Sequence, residues 1–396
     1  MNFSQRLPAS LEENPLALAV AARRTSGKPV QDLTLVNPTK AGLPYPFAEI
    51  STALAEGARA AYEPESHGLL SAREAVARYY DGRGPDSVNP ARLCLTASTS
   101  EAYGLLFKLL GDKGAEVLAP RPSYPLIEHL AGLEGWRTKY YPLKSDGDGW
   151  RMDFNALTAA ITPATRAVVV VHPHNPTGWM VRNTDAHFLL DTCAARGLAL
   201  IADEVFLDYV EKQNEKIAQS FAAHKVTALT FTLGGLSKSC AMPQLKLGWV
   251  HVGGPEKLAQ EAQTRLEFIA DAYLSAGTPV QAALPRLFQI GTGIRADLQK
   301  RFAENFATLA GLDWPSEFSV LPYAAGWSAL IRRPQALDEE RLTVNLLERA
   351  GVLAHPGYFF DFDAAGPGYH IVSLLPEPGE FRAGAEALCE WLPKLV

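Results

Sequence analysis

Between residues 90 and 255, short apolar and β-branched runs alternate with stretches whose apolar positions recur every three or four residues. The short runs mark strands and the longer period marks helices, so strands are predicted at 92–96, 116–119, 166–171, 198–202, 228–233 and 247–252 with helices between them. This alternation predicts an α/β fold with a mostly parallel sheet. Val168-Val169-Val170-Val171 is apolar at every position, as a strand covered by helices on both faces requires.

Past Pro279 the pattern changes. A long helical period covers 284–312, followed by a strand-like run at 327–331, a helix near 337–350, a strand near 369–374 and a closing helix. These predict a smaller α+β unit. The Pro-rich start of the chain lacks sheet alternation. Three parts are therefore expected: an N-terminal segment, 1–43, packing on the small domain; a large domain, 44–285; and a small C-terminal domain, 286–396.

Composition narrows the classes. The 396 residues are 47% hydrophobic and 20% charged, enough for a large core and unlike a disordered chain. Lys and Arg number 37 against 43 Asp and Glu, and a net charge of -6 opposes nucleic-acid binding, which rests on neutralising phosphates. The four cysteines, Cys94, Cys193, Cys240 and Cys389, have no metal or disulfide spacing and read as reduced thiols. Neither a signal-peptide pattern nor an apolar run of about 20 residues is present, so a cytoplasmic protein without a membrane partner is expected.

Polar motifs follow the predicted strands. His172-Pro173-His174-Asn175-Pro176-Thr177-Gly178 follows the run of valines, and Asp203-Glu204 ends the next strand. Gly234-Gly235-Leu236-Ser237-Lys238 follows the strand at 228–233, with Lys246 eight residues beyond Lys238. Ser98-x-x-Glu101 fits a capping box at the start of a helix, whose free N–H groups suit an anion. Each motif alone is compatible with an ordinary turn or surface group. His172 and His174 lack neighbouring carboxylates in the sequence and read as incidental, so no metal is expected. Gly291-x-Gly293-x-x-Ala296 lies in a helical pattern and loses the rationale of a dinucleotide motif.

In this order and spacing, the motifs resemble those of the class I/II aminotransferases, fold-type-I enzymes that use pyridoxal 5′-phosphate. The resemblance includes Tyr62-x-x-x-x-x-Gly68, Ala72-Arg73-Glu74, residues Thr96 to Glu101, Pro120-Arg121-Pro122-Ser123-Tyr124-Pro125, the motifs above, and His355-Pro356-Gly357. It implies that the large domain binds the cofactor and that Lys238 forms its Schiff base and carries the proton. Asp203 would pair with the pyridine nitrogen, Asn175 with the ring O3′, and Tyr124 would stack on the ring. Ala97, Ser98, Thr99, Ser237 and Lys246 would hold the phosphate. Tyr62 would reach the phosphate of a neighbouring subunit, which implies a homodimer with shared sites. Asn37, Tyr209 and His370 are the substrate-binding candidates.

Four positions depart from the family pattern. Gly235 stands where many members have serine and Lys246 where most have arginine. Phe206 replaces a tyrosine whose phenol helps hold O3′, leaving Tyr209 as a substitute. Ile371 falls at the arginine that grips the substrate carboxylate, which leaves three outcomes: the substrate lacks an α-carboxylate, another cation such as Arg24 or Arg332 swings in, or a bulge brings His370 inward. The expected reaction is amino transfer between an amino-acid-like donor and a 2-oxo acid. A β-eliminating lyase or decarboxylase on the same fold is the alternative, and a non-catalytic sensor is disfavoured because the resemblance begins too early for an N-terminal DNA-binding domain.

Overall fold

The apolar runs assemble into one eight-stranded sheet in the computed structural model, which describes residues 3–8, 14–145, 149–211, 216–336 and 338–396. In chain order its strands are β1 (Leu93–Thr96), β2 (Glu116–Arg121), β3 (Arg137–Ser145), β4 (Trp150–Met152), β5 (Thr165–Val171), β6 (Ala199–Asp203), β7 (Thr230–Gly235) and β8 (Gly248–Gly253). Their order across the sheet is β1-β8-β7-β6-β5-β2-β3-β4. The neighbours from β7 to β3 pair in parallel, whereas β8 runs antiparallel to both β7 and β1. The link from β7 to β8 holds only two short helical turns, Leu236–Ser239 and Pro243–Leu245, and turns back along the sheet without crossing a face, which reverses the strand.

The expected mostly parallel sheet is thus present, with helices on both faces. Val168, Val169 and Val170 in β5 are fully buried, each contributing about 1.5–3 kcal/mol of apolar burial. β3 and β4 escape the hydrophobic pattern because Lys139, Lys144 and Pro142 interrupt it; they lie at the sheet's far edge, where a proline is tolerated.

A second, antiparallel sheet contains β9 (Ser319–Val320), β10 (Ser328–Arg333), β11 (His355–Pro356) and β12 (Gly368–Ser373), in the order β9-β10-β12-β11. The helix expected at 337–350 spans Glu339–Ala350, with Leu337 outside the described residues. Helix Thr278–Ala310 begins before its predicted start because Pro279 is accommodated in the first turn, where no backbone donor is lost. It packs on helices Phe47–Gly57 and Leu70–Tyr79 at one end and Pro378–Leu395 at the other, joining the two sheets' surroundings. The N-terminal segment lies against the second sheet: Gln31–Asp32 pairs in parallel with Val352–Leu353, and Ser373 N donates to Leu33 O at 2.7 Å.

Gly57 lets two helices meet, because a Cβ there would strike the backbone carbonyl of Pro279. Helix propensity alone would make Gly57→Ala stabilising by about 0.5–1 kcal/mol. The clash is with backbone and should dominate, costing about 1–3 kcal/mol. Urea denaturation should show a lower midpoint for Gly57→Ala, and a higher midpoint would refute this account of the helix junction.

Candidate active site

Parallel pairing brings the carboxyl ends of β5, β6 and β7 to one edge, so the motifs that follow them in sequence converge there. Asp203 ends β6. Its Oδ2 accepts from the Tyr103 hydroxyl at 3.0 Å and its Oδ1 from Val205 N at 3.2 Å. Burial pushes this carboxyl up to about 6, with the two hydrogen bonds pulling the other way. Among the described residues no lysine or arginine forms an ion pair with it. The neighbouring Glu204 is buried separately, accepting from Ser220 Oγ at 2.6 Å and Phe221 N at 2.7 Å, and serves that turn.

Lys238 lies in the one-turn helix Leu236–Ser239 directly after β7. Its Nζ is 4.4 Å from the centre of the Trp327 ring and 5.7 Å from that of Phe206. Burial pushes the amine down to about 8. The Tyr209 hydroxyl donates to the Lys238 carbonyl oxygen at 2.7 Å. Tyr209 is buried and already engaged, so the expectation that it serves substrate or replaces the phenol missing at Phe206 is corrected: it positions the backbone of the lysine. Trp327 escaped the sequence reading because it comes from the second sheet's approach and meets Lys238 only through folding.

Ser98 and Glu101 form the expected cap. Glu101 N donates to Ser98 Oγ at 3.2 Å, while Ala97 N donates to the Glu101 carboxylate at 2.7 Å. Ala97 N–H is therefore taken, which corrects its place among the anion donors. The open donors of helix Thr99–Leu110 are those of its first two residues, Thr99 and Ser100, which have no acceptor one turn earlier. Ser100 was missed because helix geometry rather than residue type selects it. A Cβ on Gly248 would lie 3.0 Å from Thr99 N, and one on Gly235 would lie 3.8 Å from Thr99 Cγ2. The two glycines thus bring β7, β8 and the Lys238 turn against this helix start. Ser237 is half-buried beside Lys238. Lys246 is exposed and forms no hydrogen bond or ion pair among the described residues.

Asn175 is half-buried in the loop after β5, whose shape is held by its neighbours. His174 Nδ1 meets Thr177 Oγ1 at 2.9 Å, and His172 Nε2 meets Ala218 O at 3.0 Å. Tyr124 is partly exposed, with ring centres of Phe359 and Phe360 at 6.1 and 6.3 Å. Ser123 N donates to Phe360 O at 2.8 Å and ties this loop to the second sheet. Asn37 Oδ1 caps the turn Pro38–Lys40 by accepting from Thr39 N and Oγ1. Tyr62 is 73% exposed and joins no ring contact or hydrogen bond among the described residues.

His370 requires a second correction. It points from β12 toward the helices and its Nδ1 accepts from Arg333 Nε at 3.0 Å, while burial and the adjacent guanidinium push it down to about 3. A neutral, enclosed imidazole does not receive a substrate carboxylate. Ile371 faces the opposite side and is 1% exposed among Leu330, Phe360 and Tyr369. Arg24 is paired with Asp32 at 3.2 Å, and Arg332 is exposed opposite Tyr369.

A family model described as aminotransferase class I and II matches residues 36–377. Glutamate-pyruvate aminotransferase AlaA of Escherichia coli is 29% identical over 264 residues, which are 65% of this chain and 63% of that protein. Alanine aminotransferase of Mycobacterium bovis is 26% identical over 390 residues, 96% of this chain and 89% of its own. The alanine aminotransferase structure from Pyrococcus furiosus aligns with a TM-score of 0.85 at 22% identity, covering 99% of this chain and all of that one, and so shares the fold.

The buried amine generates a pH prediction. Lys238 should turn neutral, and hence nucleophilic, as pH rises through about 8. In cofactor-free protein, the rate of aldehyde capture at Lys238 should climb through that pH and level off above it. A rise centred near the ordinary lysine value of about 10.4 would show that the amine is solvated.

Proposed function

The chain belongs to the class I and II aminotransferase family, and from this premise we propose that it moves an amino group between an amino-acid-like donor and a 2-oxo acid, using pyridoxal 5′-phosphate. The observation that carries this reading is the half-buried Asp203 carboxylate, raised by desolvation and without a cation partner among the described residues, at the same sheet edge as the desolvated Lys238 amine. An isolated buried carboxylate is costly, and a protonated ring nitrogen is the kind of group that relieves it. The residues therefore fit the cofactor.

When bound, pyridoxal 5′-phosphate supplies an electron sink that eases proton loss from the carbon bearing the substrate nitrogen. Lys238 Nζ, able to be neutral near physiological pH, would be the residue that holds the cofactor at its aldehyde carbon and that takes and returns the substrate proton. Asp203 would pair with the ring nitrogen and favour its protonated form, and Tyr103 and Val205 hold Asp203 in place. Thr99 and Ser100 would offer backbone N–H groups to the phosphate, and Ser237 and Lys246 would add a hydroxyl and a positive charge. Asn175 would serve the ring oxygen and Tyr124 would cover the ring.

Trp327 and Phe206 wall the amine and exclude water from it. With Ile371 enclosed and His370 turned away, the substrate carboxylate is received by a group outside β12. A second copy of the chain covers the face bearing Tyr62, Phe268 and Tyr273, all exposed in the single chain, and completes the site with Tyr62. Residence in the cytoplasm fits four cysteines that are all free.

Lys238→Ala should abolish amino transfer while leaving the thermal midpoint near wild type, and borohydride reduction followed by peptide mapping should find the cofactor on Lys238. Cofactor trapped on another lysine would refute the assignment. Asp203→Asn keeps the shape but removes the charge; turnover should fall at least as far as the roughly 10²–10⁴-fold typical of a lost acid–base group. Turnover close to wild type would contradict the role given to Asp203.

The enclosed position of Ile371 gives a further expectation. Ile371→Arg should destabilise the protein by about 3–5 kcal/mol, as an unpaired buried charge does, without improving the use of α-amino acids. A stable variant with better amino-acid turnover would restore the carboxylate site to β12.

A further inference from the structure

Behind Lys238, helices Leu70–Tyr79 and Thr278–Ala310 frame a groove of about 370 Å³. Arg78, Arg83 and Arg295 enter it, and Tyr79, Pro285 and Phe288 supply an apolar wall. The Tyr79 and Phe288 rings stack at 5.2 Å with planes 16° apart. Arg83 and Arg295 are withdrawn from water, their side chains 24% and 17% exposed, yet both turn to one carboxylate: Asp208 Oδ1 lies 2.6 Å from Arg83 and 3.8 Å from Arg295.

Asp208 also accepts from the Tyr79 hydroxyl at 2.8 Å. The Arg78 side chain forms no hydrogen bond or ion pair among the described residues. The nearby carboxylate of Glu49 is paired with Arg286, and the carboxyl of Glu204 is pushed up to about 8 by burial, so neither balances the groove. Two partly buried guanidinium groups, Arg83 and Arg295, thus share one carboxylate, and the exposed Arg78 adds a third positive charge to the same groove in a chain whose overall charge is negative. Partly buried charges in such excess call for a counter-anion.

We propose that this groove binds a phosphate monoester, the phosphate between Arg78, Arg83 and Arg295 and the organic part against Tyr79 and Phe288, and that its occupancy is felt at Lys238. Guanidinium groups match phosphate oxygens in a planar fork. The volume lies within the roughly 300–1,000 Å³ of small-molecule sites. Two connections lead from the groove to the lysine. Arg295 donates to Ser239 O at 2.6 Å, one residue past Lys238, and Asp208 precedes Tyr209, whose hydroxyl holds the Lys238 carbonyl. An anion that draws Arg83 and Arg295 away from Asp208 therefore pulls on both sides of the Lys238 turn.

The test is calorimetric titration of the holoenzyme, whose cofactor already fills its own phosphate site, with phenyl phosphate and with orthophosphate in buffer of low ionic strength. Saturable binding of phenyl phosphate is expected, tighter than that of orthophosphate, weakened about tenfold or more by Arg78→Ala and by a smaller factor by Arg78→Lys, which keeps the charge but loses the fork. Arg78 is exposed and outside the catalytic machinery, so basal activity should be unchanged in both variants. Gln289→Trp, which places a large ring at the groove's exposed lining, should also weaken binding.

Absence of saturable binding, or an affinity indifferent to Arg78→Ala and Gln289→Trp, would overturn the site. Equal affinities for the two probes would overturn the assignment to an ester. The coupling is read as a change in kcat/KM with phenyl phosphate in wild type that Arg78→Ala abolishes, and an unchanged rate at saturation would overturn it. This last arm rests on the amino-transfer reading, whereas the binding arms stand without it.

Discussion

Asp203 ends a strand buried on both faces, where solvent is scarce and no lysine or arginine among the described residues neutralises its carboxylate. The same sheet edge withdraws the Lys238 amine from water and brings it down toward neutrality. Desolvation therefore acts on both groups at once, raising the acid and lowering the base. A cationic ring nitrogen placed at Asp203 relieves the first penalty, and a neutral amine avoids the second. The parallel β5-β6-β7 pairing makes this possible by delivering three strand ends to one place, while the helices above and below keep the edge dry.

Keeping Lys238 in position is the task of groups that take no part in proton transfer. Tyr209 binds its carbonyl, Arg295 binds the next one, and Trp327 covers the amine from the second sheet. That sheet is in turn fastened to the large one through Ser123 and Phe360, and to the N-terminal segment through Leu33 and Ser373. A shift in any of these elements would be transmitted to the lysine through backbone hydrogen bonds. The arginine-lined groove lies on one such route, since Asp208 and Arg295 belong both to the groove and to the support of the Lys238 turn.

The second sheet carries one of the departures from the family pattern, Ile371. In antiparallel strands, adjacent side chains take opposite faces, and β12 uses this to send His370 toward Arg333 and Ile371 toward the large domain. Both are enclosed, so the strand has packing in place of a charged grip. Phe206 continues the theme: its ring packs against Trp327 at 5.7 Å and contributes a wall where a hydroxyl would have contributed a donor. Aromatic surface around the amine strengthens exclusion of water and leaves polar recognition to the loops.

The sequence by itself determined the α/β class, the strand ends that bear Asn175, Asp203 and Lys238, the Ser98–Glu101 cap and the family. It could do so because periodicity marks strands, and a residue just after a parallel strand lies at its carboxyl edge whatever the loops do. Tertiary structure alone decided that Tyr209 holds a backbone carbonyl, that Glu101 occupies Ala97 N–H and leaves Thr99 and Ser100 open, and that His370 turns to Arg333. It also decided that Trp327 meets Lys238 and that Arg83 and Arg295 share Asp208. Each of these depends on which of several nearby partners a side chain reaches once helices and sheets have packed, and the spacing of residues along a chain does not encode that choice locally.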